Sequence, residues 1–120
     1  MRILIVDDEQ LVRWFLERAL QKWGHDVLSA PNVSEAIELL GREKFDILFT
    51  DLRMPEGNGT HIISRVSELT DKMKVVVCSA FVTPEMAEDF KAQGIITLKK
   101  PFKLAELEDV LKLCSAPVAE

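Results

Sequence analysis

No apolar stretch in this chain approaches the roughly 20 residues that a membrane-spanning helix needs, so no transmembrane segment is expected. No secretory leader is expected either. Met1-Arg2-Ile3 runs straight into a strand-like segment, with no separate apolar region and no small-residue cleavage site, and a cytoplasmic address is expected. Cysteine is scarce: Cys78 and Cys114 stand without C-x-x-C spacing and without a histidine partner nearby. That pattern excludes a zinc site and a disulfide framework, and predicts two reduced, structural thiols. Positive charge is in deficit too. At a net charge of -5 and a pI of about 5.1, the chain lacks the clustered Lys and Arg that phosphate contacts demand. This domain is therefore expected to bind no nucleic acid, and DNA binding would fall to another domain. No repeat or low-complexity tract interrupts the sequence.

What is present is ordinary globular material, 48% hydrophobic and 29% charged, in 120 residues, enough for one compact core and too few for two. Apolar runs alternate with helical spacing along it. Ile3 to Val6 reads as a first strand, and residues 11, 12, 15, 16, 19, 20 and 23 follow with the period of a helix over Asp8 to Trp23, closed by Gly24. Asp26 to Ala30 is a weaker strand that suits a sheet edge. Asn32 with Glu35 three residues on resembles a capping box for a helix carrying Val33, Ala36, Ile37 and Leu40. Phe45 to Phe49 is the third strand. Gly57 and Gly59 mark a turn, and Ile62, Ile63, Val66 and Leu69 define a third helix. Val75 to Cys78 is the fourth strand. Thr83-Pro84-Glu85 reads as cap, first-turn proline and acidic first turn of a helix that turns Met86, Ala87 and Phe90 inward before Gly94. Ile95 to Leu98 is the fifth strand, and Leu104 to Leu113 the last helix, with Leu104, Leu107, Val110 and Leu111 facing the core. The domain is expected over residues 1–114, with linker character from Ser115 to Glu120. Five strands alternating with five helices predict an α/β fold: a parallel sheet covered on both faces.

In such a sheet the polar residues that end the strands meet at one edge. Asp7 and Asp8 follow strand one, Asp51 strand three, Ser79 strand four and Lys100 strand five. Taken singly, each has a plainer reading: helix-start acids, a turn serine, a surface lysine. Their convergence at the carboxyl edge, where open α/β sheets bind ligands, favours chemistry. Adjacent carboxylates repel in a partly buried crevice, and a hard divalent cation taking oxygen ligands relieves this, Mg²⁺ with retained waters being the best fit. Asp8 and Asp51 are the direct ligands this reading selects. Asp51 is then suited to act as a nucleophile toward phosphorus, with Lys100 neutralising a phosphoryl oxygen and the Ser79 hydroxyl donating to another.

These residues resemble the receiver domains of two-component response regulators. The matching features span essentially the whole chain: Val6-Asp7-Asp8-Glu9, Thr50-Asp51-Leu52-Arg53-Met54-Pro55, the Gly59 turn, Cys78-Ser79-Ala80 and Lys100-Pro101-Phe102. The resemblance implies a doubly wound sheet of order 2-1-3-4-5 and a cis Lys100-Pro101 bond. It also implies Mg²⁺-dependent phosphorylation of Asp51 by a sensor histidine kinase or histidine phosphotransfer domain. Asp7 and Asp8 then bind the metal, and the Arg53 backbone carbonyl completes its protein ligands. The implied role is a signalling switch that catalyses only its own phosphotransfer and slow self-dephosphorylation, with an output domain or a second copy as further partner.

One position departs from the family pattern. Three residues before the lysine, where receivers usually carry Tyr or Phe, this chain has Thr97, which removes the usual aromatic readout. Two rival chemistries fit less well. A phosphohydrolase of the haloacid dehalogenase kind places its nucleophile on strand one in an Asp-x-Asp arrangement, and a flavodoxin has a first loop rich in Ser, Thr and Gly. His25 and His61 have no acidic or cysteine company at ligand spacing and are expected at the surface. Leu11 and Trp14 lie toward the polar side of the first helix, beside Gln10, Arg18 and Gln21, and are expected to be partly exposed near the site. The same resemblance implies that the side chains two positions past Asp51 and Ser79, here Arg53 and Phe81, flank the path of a hydrolytic water.

Overall fold

The computed structural model describes residues 1–54, 57–58, 63–64 and 73–115. Five strands form one parallel sheet: β1 (Arg2–Val6), β2 (Asp26–Ala30), β3 (Ile47–Thr50), β6 (Lys74–Ser79) and β7 (Ile96–Lys99), in the order β2-β1-β3-β6-β7. Counted within this sheet alone, that is the expected 2-1-3-4-5, with β2 at an edge. Between β3 and β6 a small antiparallel ribbon pairs β4 (Arg53–Met54) with β5 (Gly57–Asn58). The helices with described bounds are α1 (Gln10–Lys22), α2 (Val33–Arg42), α3 (Pro84–Ala92) and α4 (Leu104–Ser115). Ile63 and Ser64 are helical, in keeping with the helix expected there, whereas Ile62, Val66, Leu69 and His61 lie outside the described residues.

Strand side chains alternate between the two faces, and here both faces are apolar, which is why the strands read as unbroken hydrophobic runs. Ile3, Ile5, Ile47, Phe49, Val76 and Cys78 pack on one side against Leu16 and Leu20 of α1 and Leu107 and Leu111 of α4. Leu4, Val6, Leu48, Val75 and Val77 face the other way, against Ala36 and Leu40 of α2 and Phe90 of α3. The helix ends follow their local chemistry. Asn32 accepts from the Glu35 N–H at 2.9 Å, and Thr83 from the Met86 N–H at 3.1 Å. Gly24 closes α1 in the left-handed region at φ 89°, a conformation a side chain resists.

Three expectations are corrected. The first helix begins at Gln10, with Glu9 as its cap residue, and not at Asp8. Leu104, expected in the core, is 49% exposed, because the first turn of α4 stands at the rim of the layer that Leu107 enters. Ser115 is the last residue of α4 and not the first of a tail; residues 116–120 lie outside the described residues.

Both cysteines are buried, and burial pushes the Cys78 thiol far up and the Cys114 thiol up to about 11. Neither should react with a water-soluble disulfide reagent at mildly alkaline pH in the native protein, and both should react in guanidinium. Rapid titration of either thiol in the folded state would contradict this.

Candidate functional site

Because the sheet is parallel, the residues that follow β1, β3, β6 and β7 emerge on one edge, and the ladder continues one step past each strand. The Asp51 N–H donates to the Val6 carbonyl at 3.1 Å, the Asp7 N–H to Ala30 at 3.2 Å and the Lys100 N–H to Ser79 at 3.1 Å. Asp7 and Asp51 therefore stand side by side where the chain winds away in opposite directions from β1 and β3, the switch point at which such sheets bind ligands.

Both carboxylates are buried, Asp7 at 1% exposure and Asp51 at 6%, and Lys100 reaches across to them. Its Nζ lies 2.7 Å from Asp7 Oδ2, 2.9 Å from Asp51 Oδ2 and 3.3 Å from Glu9 Oε1. The opposite oxygens are held by backbone donors: the Glu9 N–H to Asp7 Oδ1 at 2.9 Å and the Leu52 N–H to Asp51 Oδ1 at 2.6 Å. Arg13, one turn into α1, donates to the Asp7 carbonyl. Ser79 is fully buried at the end of β6, opposite Lys99, and its Oγ accepts from the Phe81 N–H at 3.1 Å. The Lys100-Pro101 bond is cis.

Burial is the largest influence on Asp7 and pushes its carboxyl up, against the pull of Lys100 and the Glu9 N–H. Burial alone would lower the Lys100 ammonium, but its hydrogen bonds to Asp7 and Asp51, together with their charges, carry it above the usual lysine range. Among the described residues, the Lys100 ammonium contacts Asp7, Glu9 and Asp51, and the ligand atoms of these three acids and Asp8 all lie within 4.8 Å of one another. This donor set is all oxygen and carries more negative charge than Lys100 offsets, so it fits a hard divalent cation such as Mg²⁺ and not a soft one.

Asp7, Asp8, Asp51 and Lys100 come together as one cluster, with Ser79 at the same edge. Arg53 follows Asp51 by two residues in β4, and its side chain is outside the described residues. Glu9 and Arg13 had no part in the expected site. Glu9 directly follows the Asp7-Asp8 pair, a signal masked by how common acids are at helix starts. An arginine on the first turn of a helix beside that pair was the only hint for Arg13.

The sheet order and the acidic, lysine-bridged edge define a doubly wound α/β domain with a polar site at its switch point. Residues 3–112 match the family model described as "Response regulator receiver domain". The chain belongs to this family, the receiver domains of two-component response regulators, which are signalling switches. It is 34% identical over 116 residues to the chemotaxis protein CheY of Thermotoga maritima, a match covering 95% of this chain and 97% of that protein. With the response regulator protein PilR of Pseudomonas aeruginosa it shares 36% identity over 111 residues, 92% of this chain but only 25% of that longer protein. Among solved structures, response regulator protein TrrA of Thermotoga maritima, in complex with Mg(2+)-BeF, superposes with a TM-score of 0.82. Its sequence identity is 25%, and the match covers 94% of this chain and 97% of that one.

Proposed function

We propose that Asp51 accepts a phosphoryl group from the phosphohistidine of a sensor histidine kinase or histidine phosphotransfer domain, and that the acyl phosphate switches the domain's surface. The observation that carries this reading is Asp51 itself: a carboxylate 6% exposed at the switch point, sharing Lys100 with Asp7 beside an all-oxygen cluster. An Asp51 oxygen attacks phosphorus, the P–N bond breaks, and its electron pair leaves on the imidazole. Lys100 shifts a hydrogen bond from the carboxylate to a phosphoryl oxygen, a movement its flexible stem permits. The Ser79 hydroxyl turns to donate to another phosphoryl oxygen. Mg²⁺, held by Asp7, Asp8, Asp51 and the Arg53 carbonyl, would supply charge neutralisation of acceptor and phosphoryl oxygens. Incubation with Mg²⁺ and a small phosphodonor, followed by intact-mass measurement, tests the reading; the mass should rise by one phosphoryl group.

Leu11 is 76% and Trp14 55% exposed on α1, which begins beside the cluster, and this apolar strip supports docking of a kinase's histidine domain. Chemical-shift mapping with that domain should disturb α1, and an undisturbed α1 would refute the docking site. A phosphoryl group adds roughly 1.5 to 2 negative charges, which draw the Ser79 loop inward and reposition α3. Thr97, half-buried on β7 opposite Val77, has no ring to swing inward, so output runs through α3 to an output domain or a second copy.

The phosphoryl group should be long-lived. Phe81 is 53% exposed beside Ser79, and neither Phe81 nor Arg53 carries a carboxamide to orient an attacking water. Loss of label should quicken in Phe81→Ala or Arg53→Asn; unchanged decay in both would place the control of lifetime elsewhere.

A further inference from the structure

We infer that Phe15 and Phe102 form a clasp that positions Lys100, linking contact at the α1 surface to the geometry of the acceptor site; the inference rests on the reading of Asp51 as acceptor. The Lys100 ammonium sits at the end of a flexible four-carbon stem, so its place among three carboxylates depends on how firmly its backbone is anchored. On the β7 side that anchor is the N–H of Lys100 on the Ser79 carbonyl. On the other side the chain passes through Pro101 to Phe102, which packs against the core layer of α1 and α4. There its ring meets Phe15 edge to face, with centroids 5.7 Å apart and planes at 64°.

Phe15 differs from a core phenylalanine. It is 41% exposed even while its ring holds Phe102. Both rings line a cleft of about 460 Å³, together with Leu11 of the exposed α1 strip, Ala80 of the Ser79 loop, Glu9 and Lys100. A partner side chain entering this cleft presses on the clasp and on the site residues at once. Phe15 is accordingly a positioning residue: it touches no reacting atom, and it fixes the loop from which Lys100 reaches Asp7 and Asp51.

Two readouts on the full chain test this. The first needs no phosphorylation: NMR of the Lys100 ammonium, whose exchange with water is slowed by its carboxylate contacts. Exchange should quicken about tenfold in Phe15→Ala and in Phe102→Ala, and stay slow in Phe15→Tyr, which keeps the ring. The second is the labelling rate with acetyl phosphate, a donor that docks on no helix, at saturating Mg²⁺. It should fall about tenfold in Phe15→Ala, recover in Phe15→Tyr, and fall no further in the Phe15→Ala, Phe102→Ala double variant than in the slower single one. Should Phe15→Ala fail to fold, Phe15→Leu, which keeps apolar volume without the ring edge, carries the same comparison. Unchanged ammonium exchange, or effects that multiply in the double variant, overturn the clasp. A wild type that takes no label while its variants still loosen the ammonium overturns the acceptor reading and leaves the clasp standing.

Discussion

Asp51→Asn is expected to abolish acyl-phosphate formation outright while leaving the domain folded. The carboxamide keeps the shape of the side chain and an oxygen for the Leu52 N–H, which lies 2.6 Å from Asp51 Oδ1 in the native protein. What it lacks is the anionic oxygen that attacks phosphorus, and no other residue of the cluster substitutes for it in this account. Asp7 is as buried as Asp51, but it ends β1 beneath the first turn of α1, with one oxygen on the Glu9 N–H and the other on Lys100. Removing one of several crowded carboxylates should also ease repulsion in Mg²⁺-free buffer, so the variant should unfold at an equal or higher denaturant concentration. Acid-labile phosphate on the variant at the wild-type level would contradict the assignment.

Lys100→Met is expected to be the most damaging single change to stability at the site. Its ammonium, with the side chain only 12% exposed, is bonded to both Asp7 and Asp51, whose side chains are 2% and 8% exposed. A methionine fills much of the same volume but takes the ammonium away from two buried carboxylates at once. Removing one partner from a buried ion pair costs about 3 to 5 kcal/mol, and here one change removes a contact from two acids. Urea unfolding in excess chelator should show that loss. Mg²⁺ should restore part of it, because a cation that binds only the folded cluster stabilises by mass action, and the restoration should exceed the gain Mg²⁺ gives wild type. Equal stability of variant and wild type in chelator would mean that the Lys100 contacts do not hold the edge together.

How far the sequence reveals this molecule depends on how local each signal is. The five long strands were legible because the central ones are apolar on both faces and the flanking ones are still short apolar runs, and their boundaries moved by only a residue or two: the third strand runs Ile47–Thr50, with Phe45 buried just ahead of it. The β4–β5 ribbon was read only as a turn, since two-residue strands are too short to show a period. Leu104 satisfied the helical spacing of α4, but spacing does not tell whether a first turn overhangs the layer it packs on. Asp8 was drawn into the first helix because acids favour helix starts, whereas the helix begins at Gln10 and Asp8 joins the acidic cluster. The exposure of Leu11 and Trp14 was legible from their polar neighbours. The role of Glu9 was not, because its bond to Lys100 spans 91 positions in the chain. The Phe15–Phe102 contact was hidden for the same reason.

The central claim is that Asp51 is the acceptor and that a divalent cation is required. Borohydride reduction converts an aspartyl phosphate to homoserine, so trapping after incubation with acetyl phosphate, followed by peptide mapping, reads the site directly. The account predicts homoserine at position 51 alone, present with Mg²⁺ and absent in excess chelator. Homoserine at Asp7, Asp8 or any other carboxylate, or undiminished conversion at Asp51 in chelator, would contradict it.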